Sequence, residues 1–329
     1  MMIDFDPPPF RPHPFLRAGH LQTIASVRVR YRAELPTTPH PVGLSDGDTV
    51  MIHEDRPPGW TTGDPSVLLI HGLCGCHSAT YMVRLADRFY RGGTRAFRMD
   101  LRGCGAGAEM ALGLNHAGRS DDVIAALAWI AERTGAGPIG VLGVSLGGNQ
   151  LLRGLGRIGG GEDSTPAWFG RVRRAMAVAP PIDLARCAAN LQRWSMWPYN
   201  RYFVRMLLAR VPARVRGRAE FRAAIGNAPP RTIRELDDRV TAPLSGFVDS
   251  ADYYARTSSG TVLRDNPVPT LIVAAGDDPI VPVDCFADFG DGLPSTTRMV
   301  ITPRGGHVGF IEKASQNWLD DVAANWLGL

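Results

Sequence analysis

Short apolar segments alternate with amphipathic segments along most of this 329-residue chain, and no other feature of the sequence constrains the fold as strongly. The segments typical of buried strands are short apolar runs. They cover residues 66–70, 95–100, 138–144, 174–178, 269–275 and 298–301. Segments with helical spacing follow four of them, at residues 80–91, 120–132, 145–155 and 312–326. Strands that alternate with helices predict an α/β fold, with a mostly parallel sheet and helices on both of its faces.

The alternation stops between residues 182 and 266, and this interruption predicts the domain organisation. The segment contains amphipathic pieces rich in Trp, Tyr and Arg and no run typical of a buried strand. We expect a helical lid at residues 182–266, inserted between two parts of one α/β core at residues 27–181 and 267–329. Residues 1–26 are rich in proline and predict an irregular arm, and two β-biased pieces follow at 26–31 and 49–53.

Composition and charge exclude several classes of protein. Hydrophobic residues make up 44% of the chain, so a sizeable core is available and extensive disorder is excluded. The 36 basic and 32 acidic residues leave a net charge of +4, and no basic run is long enough for a nucleic-acid arm. We expect no nucleic-acid partner.

The cysteines and the N-terminal sequence predict the compartment. Five scattered cysteines, an odd number, indicate reduced thiols rather than a disulfide scaffold. The first residues lack the pattern of a signal peptide, and no apolar run reaches the roughly 18 residues of a membrane span. We therefore expect a cytoplasmic protein with no integral membrane span.

The motif G-x-S-x-G occurs at residues 143–147, between a predicted buried strand and a predicted helix. A sharp turn at that place exposes the serine oxygen, and the flanking glycines allow the strained backbone and the close approach of neighbours. The positive end of the following helix favours negative charge nearby. This context predicts that Ser145 is a catalytic nucleophile.

A serine nucleophile needs a histidine as general base, and His307 stands where that base is needed. It lies in the glycine-rich segment 305–309, beyond the end of the last predicted strand. The glycines on both sides leave the imidazole ring room to reach the serine. We therefore predict His307 as the base.

Two adjacent aspartates follow the strand at 269–275, and one of them is the expected acid of the triad. In the pattern familiar from this fold, the acid stands three positions before a small apolar residue and four before a proline. Asp278 satisfies this pattern, and we expect Asp277 to hold the turn by accepting backbone N–H bonds. The order serine, aspartate, histidine along the chain is that of α/β-hydrolases.

An oxyanion formed during the attack requires preorganised N–H donors. One predicted donor is the backbone N–H of Leu146, which follows the nucleophile, and the other is that of Leu73, in the loop after the strand at 66–70. We expect His71 in the same loop to order the backbone.

Other constellations compete for a functional role, and each lacks part of its motif. His71, Cys74, Cys76 and His77 lack the spacing and the second ligand pair of a zinc site. The glycines of residues 103–108 do not open a helix after the first strand of a sheet, as a dinucleotide fingerprint requires. We expect no metal and no cofactor. For His20 and His116, in polar loops, a structural hydrogen-bonding role is favoured over a catalytic one.

Five segments together resemble one branch of the α/β-hydrolases. They are residues 15–24 (FLRAGHLQTI), 101–105 (LRGCG), 143–149 (GVSLGGN), 241–247 (TAPLSGF) with 252–254 (DYY), and 305–310 (GGHVGF). The chain is similar to the YheT-type branch, which also includes yeast medium-chain ethyl ester synthases and mammalian monoacylglycerol and phospholipid lipases. The resemblance implies a triad of Ser145, Asp278 and His307, no cofactor, and hydrolysis of carboxylic esters with short or medium acyl chains. The mammalian members carry an N-terminal membrane anchor that is lacking here, so we expect soluble small-molecule esters rather than membrane lipids.

The resulting hypothesis is a serine carboxylesterase that works through an acyl-enzyme. Two alternatives stay open: an acyltransferase or ester synthase that passes the acyl group to an alcohol, and a non-catalytic binding protein on the same fold. Aromatic residues of the lid are candidates for the acyl pocket or for the core of the lid, namely Trp194, Trp197, Tyr199, Tyr202 and Phe203.

Overall fold

The computed structural model describes residues 5–313 and 317–328, with the backbone alone for residues 290 and 291. Within these residues the chain forms one eight-stranded sheet. Its strands are β1 (Thr37–Gly43), β2 (Thr49–Asp55), β3 (Ser66–Ile70), β4 (Arg95–Asp100), β5 (Ile139–Val144), β6 (Val172–Val178), β7 (Thr270–Ala275) and β8 (Thr297–Thr302).

The α-helices surround this sheet and also fill the long connection between β6 and β7. They are α1 (Gly19–Arg28), α2 (Thr80–Arg91), α3 (Ser120–Arg133), α4 (Leu146–Gly159), α5 (Leu184–Leu191), α6 (Trp197–Ala209), α7 (Ala213–Arg216), α8 (Ala219–Ile225), α9 (Ile233–Leu236), α10 (Ala242–Leu244), α11 (Ser250–Thr257) and α12 (Trp318–Leu327). Short 3-10 turns connect several of them, and one π-helical turn (Asp237–Thr241) joins α9 to α10. In the part of the chain with coordinates, no helix is long and apolar enough to cross a membrane.

The strands are ordered β1-β2-β4-β3-β5-β6-β7-β8 across the sheet. The pairs β1–β2 and β2–β4 are antiparallel, and every other neighbouring pair is parallel. The carboxyl ends of β3, β5, β7 and β8 therefore lie on one edge of the sheet. Loops that follow these ends are where sheets of this type place their binding sites.

Two hydrophobic cores, one on each face of the sheet, hold the helices in place. Successive side chains of a strand point to opposite faces, and in β3 Leu69 belongs to one core and Leu68 to the other. The helices α2 and α12 cover the first face, and α3 and α4 cover the second. The predicted α/β architecture, with a mostly parallel sheet and helices on both faces, is confirmed.

The segment predicted as a lid, residues 182–266, contains the helices α5 to α11. Several of its side chains form a cluster with Leu146 at the start of α4, namely Ala188, Ala242, Tyr253 and Tyr254. This contact places part of the helical segment beside the carboxyl end of β5. The boundaries of the lid and of the two core parts stay predictions.

The N-terminal part of the chain differs from the prediction. Residues 26–31 are not a strand, and the arm is not irregular throughout, because Gly19–Arg28 forms α1. The first strand instead lies at Thr37–Gly43, where two prolines mask the β pattern. A strand with prolines fits only an edge, since proline cannot donate to a neighbouring strand, and β1 is an edge strand. Residues 1–4 of the predicted arm, 314–316 of the predicted last helix, and 329 lie outside the described residues.

Candidate active site

Ser145 occupies a strained turn between β5 and α4. Its backbone has φ 50° and ψ −119°, which few residues other than glycine adopt. Its N–H donates to the carbonyl of Val178 at 2.7 Å, and its own carbonyl accepts from Asn149 at 3.0 Å. Strain of this kind persists only where the surroundings impose it, and it is concentrated at functional sites.

Glycine is required beside this turn because neighbouring backbone comes very close. A Cβ at Gly147 would lie 2.5 Å from the carbonyl oxygen of His71. A Cβ at Gly143 would lie 2.5 Å from the carbonyl oxygen of Gly147. Both glycines of the G-x-S-x-G motif therefore have a steric reason, since real Cβ contacts are never this short.

The structure brings Ser145, His307 and Asp278 into one hydrogen-bonded chain. The Oγ of Ser145 lies 2.9 Å from Nε2 of His307. The Nδ1 of His307 lies 2.8 Å from Oδ2 of Asp278. The three residues follow β5, β8 and β7, so the parallel sheet delivers all of them to the same edge.

The two candidate aspartates make different contacts. Asp278 is buried, and its second oxygen, Oδ1, accepts the backbone N–H groups of Ile280 at 2.7 Å and Val281 at 3.0 Å. Asp277 does not contact the imidazole, and its Oδ1 accepts the N–H of Gly306 at 2.9 Å. The carboxylate of Asp278 thus faces His307, while that of Asp277 holds the loop that carries it.

The residues predicted as oxyanion donors lie on both sides of Ser145. Leu146 is the first residue of α4, and the side chain of Leu73 packs in the same hydrophobic cluster as that of Leu146. A Cβ on the intervening Gly72 would lie 3.0 Å from the Cβ of Ser145, so the loop after β3 runs directly against the serine. Two backbone N–H groups near one serine oxygen form the type of arrangement that stabilises an oxyanion.

His71 orders this loop as a neutral imidazole. Its Nδ1–H donates to the carbonyl of Gly72 at 2.8 Å, and its Nε2 accepts the N–H of Leu101 at 3.1 Å. Complete burial lowers its pKa to about 4. Gly72 is held further by its own N–H, which donates to the hydroxyl of Tyr81 at 2.9 Å.

His20 and His116 occupy different environments. Nδ1 of His20 lies 3.0 Å from the hydroxyl of Tyr199, so it joins α1 to the lid helix α6. His116 is buried, its Nδ1 accepts the N–H of Gly118 at 3.1 Å, and its ring packs edge-on against Phe247. Burial, together with nearby arginines, lowers the pKa of His116 to about 3. Neither imidazole contacts Ser145 in these contacts.

Metal binding is not favoured by the thiols and imidazoles near the loop after β3. Burial raises the pKa of Cys74 to about 11, so this thiol keeps its proton and is a poor ligand. His77 instead joins His53 and Asp100 in a compact cluster, where both imidazoles lie within 2.9 Å of one oxygen of Asp100. Their rings are stacked 3.4 Å apart at 14°. An imidazole binds a metal in the plane of its ring, and two stacked rings share no such point.

A cavity of about 280 Å³ opens beside Asp278. Its walls come from the helical segment and from the loop after β7, and include Asn190, Arg193, Met196, Pro279 and Pro282, with His20 of α1. The lid aromatics considered for an acyl pocket are mostly exposed, with Trp194 at 93% and Trp197 at 58%. Met196 and the prolines therefore supply more of the apolar lining than the predicted aromatics do.

Sequence reasoning missed two polar residues of α1 that contact the loop of His307. The hydroxyl of Thr23 accepts the backbone N–H of His307 at 2.8 Å, and the amide oxygen of Gln22 accepts that of Ile311 at 2.8 Å. Both belong to the segment 15–24, which drew attention only through its resemblance to a family.

Comparison with known proteins places the chain among hydrolases. A family model described as "Alpha/beta hydrolase family" matches residues 67–324. An Escherichia coli K12 protein named "Putative esterase YheT" is 30% identical over 322 residues, which cover 94% of this chain and 89% of that protein. The Saccharomyces cerevisiae protein "Medium-chain fatty acid ethyl ester synthase/esterase 2" is 23% identical over 286 residues, 80% of this chain and 61% of that protein.

Solved structures agree on the fold. A structure of the Pyrococcus furiosus esterase Pf2001 superposes with a TM-score of 0.58 at 14% identity, covering 91% of this chain and 98% of that one. At this level of identity the likeness shows the shared fold alone.

Proposed function

Because the chain belongs to the alpha/beta hydrolase family, we propose that it is a serine esterase that cleaves small carboxylic esters through an acyl-enzyme. One observation carries the proposal: Ser145 Oγ, the His307 imidazole and the Asp278 carboxylate form a continuous chain of 2.9 Å and 2.8 Å hydrogen bonds. A serine beside a base, with the base oriented by a carboxylate, is the arrangement that activates a hydroxyl for attack.

Acylation begins when Ser145 Oγ attacks the carbonyl carbon of the ester. Nε2 of His307 accepts the hydroxyl proton as the bond forms, since it lies 2.9 Å from Oγ. The carboxylate of Asp278 accepts Nδ1–H, which keeps the lone pair of Nε2 directed at the serine. The same carboxylate stabilises the imidazolium while it exists.

The attack places negative charge on the former carbonyl oxygen. We assign its stabilisation to the backbone N–H groups of Leu73 and Leu146, which flank Ser145 through the loop after β3 and the start of α4. Removal of one such donor from a site of this kind costs roughly 2.7–4 kcal/mol of transition-state stabilisation. His307 then gives its proton to the departing alcohol, which leaves an acyl-Ser145.

Deacylation repeats the chemistry with water as the nucleophile. His307 accepts a proton from water, water attacks the acyl carbonyl, and the proton returns to the Ser145 oxygen as the acid departs. The cavity beside Asp278, about 280 Å³ in volume, is at the lower end of the range for small-ligand pockets. This size favours esters of short to medium acyl chains.

A second candidate function is transfer of the acyl group to an alcohol. The yeast relative whose name includes both synthase and esterase supports it. The acyl-enzyme is the same in both reactions, and only the second nucleophile differs. Product analysis with and without added ethanol separates them, because a transferase yields ethyl ester where an esterase yields free acid.

Turnover of nitrophenyl esters with graded acyl length tests the proposal. We expect wild-type protein to release nitrophenol fastest from the short and medium chains and to be inactivated by Ser145→Ala. Well-folded wild-type protein that turns over no ester of the series would contradict the proposal and favour a non-catalytic binding protein. A maximum at the longest chains would overturn the assigned acyl length.

A further inference from the structure

We propose that α1 positions the catalytic histidine, through Thr23 and Gln22, so that the N-terminal helix is part of the active-site framework. This inference rests on the proposed function, because it concerns the geometry of His307 as a base. It also accounts for the segment 19–23 (GHLQT), to which the proposed chemistry assigns no role.

The loop that carries His307 adopts a backbone that it does not prefer. Gly306 has φ 59°, Val308 has φ 61° and Phe310 has φ 45°. A positive φ is a genuine outlier for a β-branched residue such as valine. Each such residue costs on the order of 1–3 kcal/mol and persists only when surrounding contacts impose it. The loop therefore depends on external restraints.

Thr23 supplies the restraint on the histidine itself. Its buried hydroxyl accepts the N–H of His307 at 2.8 Å and donates to the carbonyl of Gly19 at 2.8 Å. The backbone of His307 is thereby fixed to the first turn of α1 through one oxygen atom. Without that oxygen, the buried N–H of His307 loses the partner it has here.

Gln22 restrains the end of the same loop. Its side chain is fully buried, and its amide oxygen accepts the N–H of Ile311 at 2.8 Å. Its amide nitrogen donates to the carbonyls of Leu16 at 2.7 Å and Ile311 at 3.1 Å. The two residues of α1 thus hold the loop on both sides of its strained positions.

Close backbone contacts place α1 between the loop of the histidine and the loop of the acid. A Cβ on Gly19 would lie 1.9 Å from the carbonyl oxygen of Asp277, next to the proposed acid. A Cβ on Gly306 would lie 2.3 Å from the carbonyl oxygen of Gly19. One helix turn therefore sets the separation of both loops, and with it the position of the imidazole between Asp278 and Ser145.

Replacement of the Thr23 hydroxyl tests the proposal. Thr23→Val keeps the shape and removes the oxygen, and Thr23→Ser keeps the oxygen. The matched control is Thr134→Val, because the buried Thr134 hydroxyl has the same bonding pattern far from the serine: it donates to the carbonyl of Ile130 at 2.9 Å and accepts from Arg171 at 2.6 Å. All variants are assayed as full chains for kcat, KM and urea unfolding on one nitrophenyl ester.

We expect Thr23→Val to lower kcat by roughly ten- to a hundredfold with KM changed by less than about threefold, since a misplacement of about 1 Å can cost a hundredfold. Thr23→Ser should recover most of kcat, and Thr134→Val should lose stability but not kcat. A wild-type kcat in Thr23→Val, or an equal loss in Thr134→Val, would overturn the proposal. If Thr23→Val does not fold, Gln22→Met decides by the same criteria. Inactive wild-type protein would refute the esterase proposal instead.

Discussion

Replacement of Asp278 by asparagine separates the roles of the two adjacent carboxyl groups. In the native site Oδ1 of Asp278 accepts two backbone N–H groups, from Ile280 and Val281, and Oδ2 accepts Nδ1–H of His307. An asparagine has one acceptor oxygen and one donor nitrogen. The two N–H groups of the turn require the oxygen, so the amide nitrogen is left facing His307.

The amide nitrogen is a donor, and it favours the wrong tautomer of His307. Nδ1 then accepts a hydrogen bond, and the imidazole proton moves to Nε2, the atom 2.9 Å from Ser145 Oγ. Nε2 can no longer accept the serine proton. The corresponding substitution in a serine protease lowers kcat by about 10⁴, which equals about 5 kcal/mol in the activation free energy. We expect a loss of the same order in Asp278→Asn.

Asp277→Asn is the matched control, with the same chemical change one position away. Its amide oxygen can still accept the N–H of Gly306, now at 2.9 Å from the carboxylate. We expect kcat to fall by less than about tenfold, because a hydrogen bond to a charged acceptor becomes one to a neutral acceptor. Steady-state kinetics on one nitrophenyl ester measures both variants. The reverse ranking would refute the assignment of Asp278 as the acid.

Two further predictions concern acid stability and the turn at the serine. Because burial lowers the pKa of His116 to about 3, the unfolded chain binds a proton below about pH 6.5 that the native chain does not. Stability should fall by about 2 kcal/mol between pH 7 and pH 5 from this group alone; His116→Asn should remove that part of the slope in urea unfolding, and an unchanged slope would contradict the low pKa. Gly147→Ala brings a Cβ to 2.5 Å from the carbonyl oxygen of His71 and should lower kcat/KM at least about a hundredfold. Gly170→Ala, with nothing within 4 Å of the new Cβ, should match wild type, and equal activity of the two variants would show that close packing at the turn is not required.

The sequence predicted the central strands best because they are buried on both faces. The predicted bounds of β3, β4 and α2 coincide with those observed. A strand such as β3, with all five residues buried, needs a continuous apolar run, and that run ends where the turn begins. Since carboxyl ends of parallel strands share an edge, residues placed after β5, β7 and β8 could be expected to meet.

The N-terminal region was predicted poorly because its structure depends on distant partners. Prolines hide β1, which is formed by pairing with β2. The helix α1 begins after Ala18 without a side-chain cap and has few buried residues, so local signals for it are weak. Its contact from Thr23 to His307 spans 284 positions in the chain, and no local pattern encodes it.

Active-site-directed labelling tests the central claim most directly. A fluorophosphonate probe reacts with a serine only where a base activates the hydroxyl and donors stabilise the oxyanion. Mass spectrometry of the digested, labelled wild-type protein should locate the adduct on Ser145, and Ser145→Ala should take up no probe. Well-folded wild-type protein that stays unlabelled, or an adduct on another residue that persists in Ser145→Ala, would contradict the account.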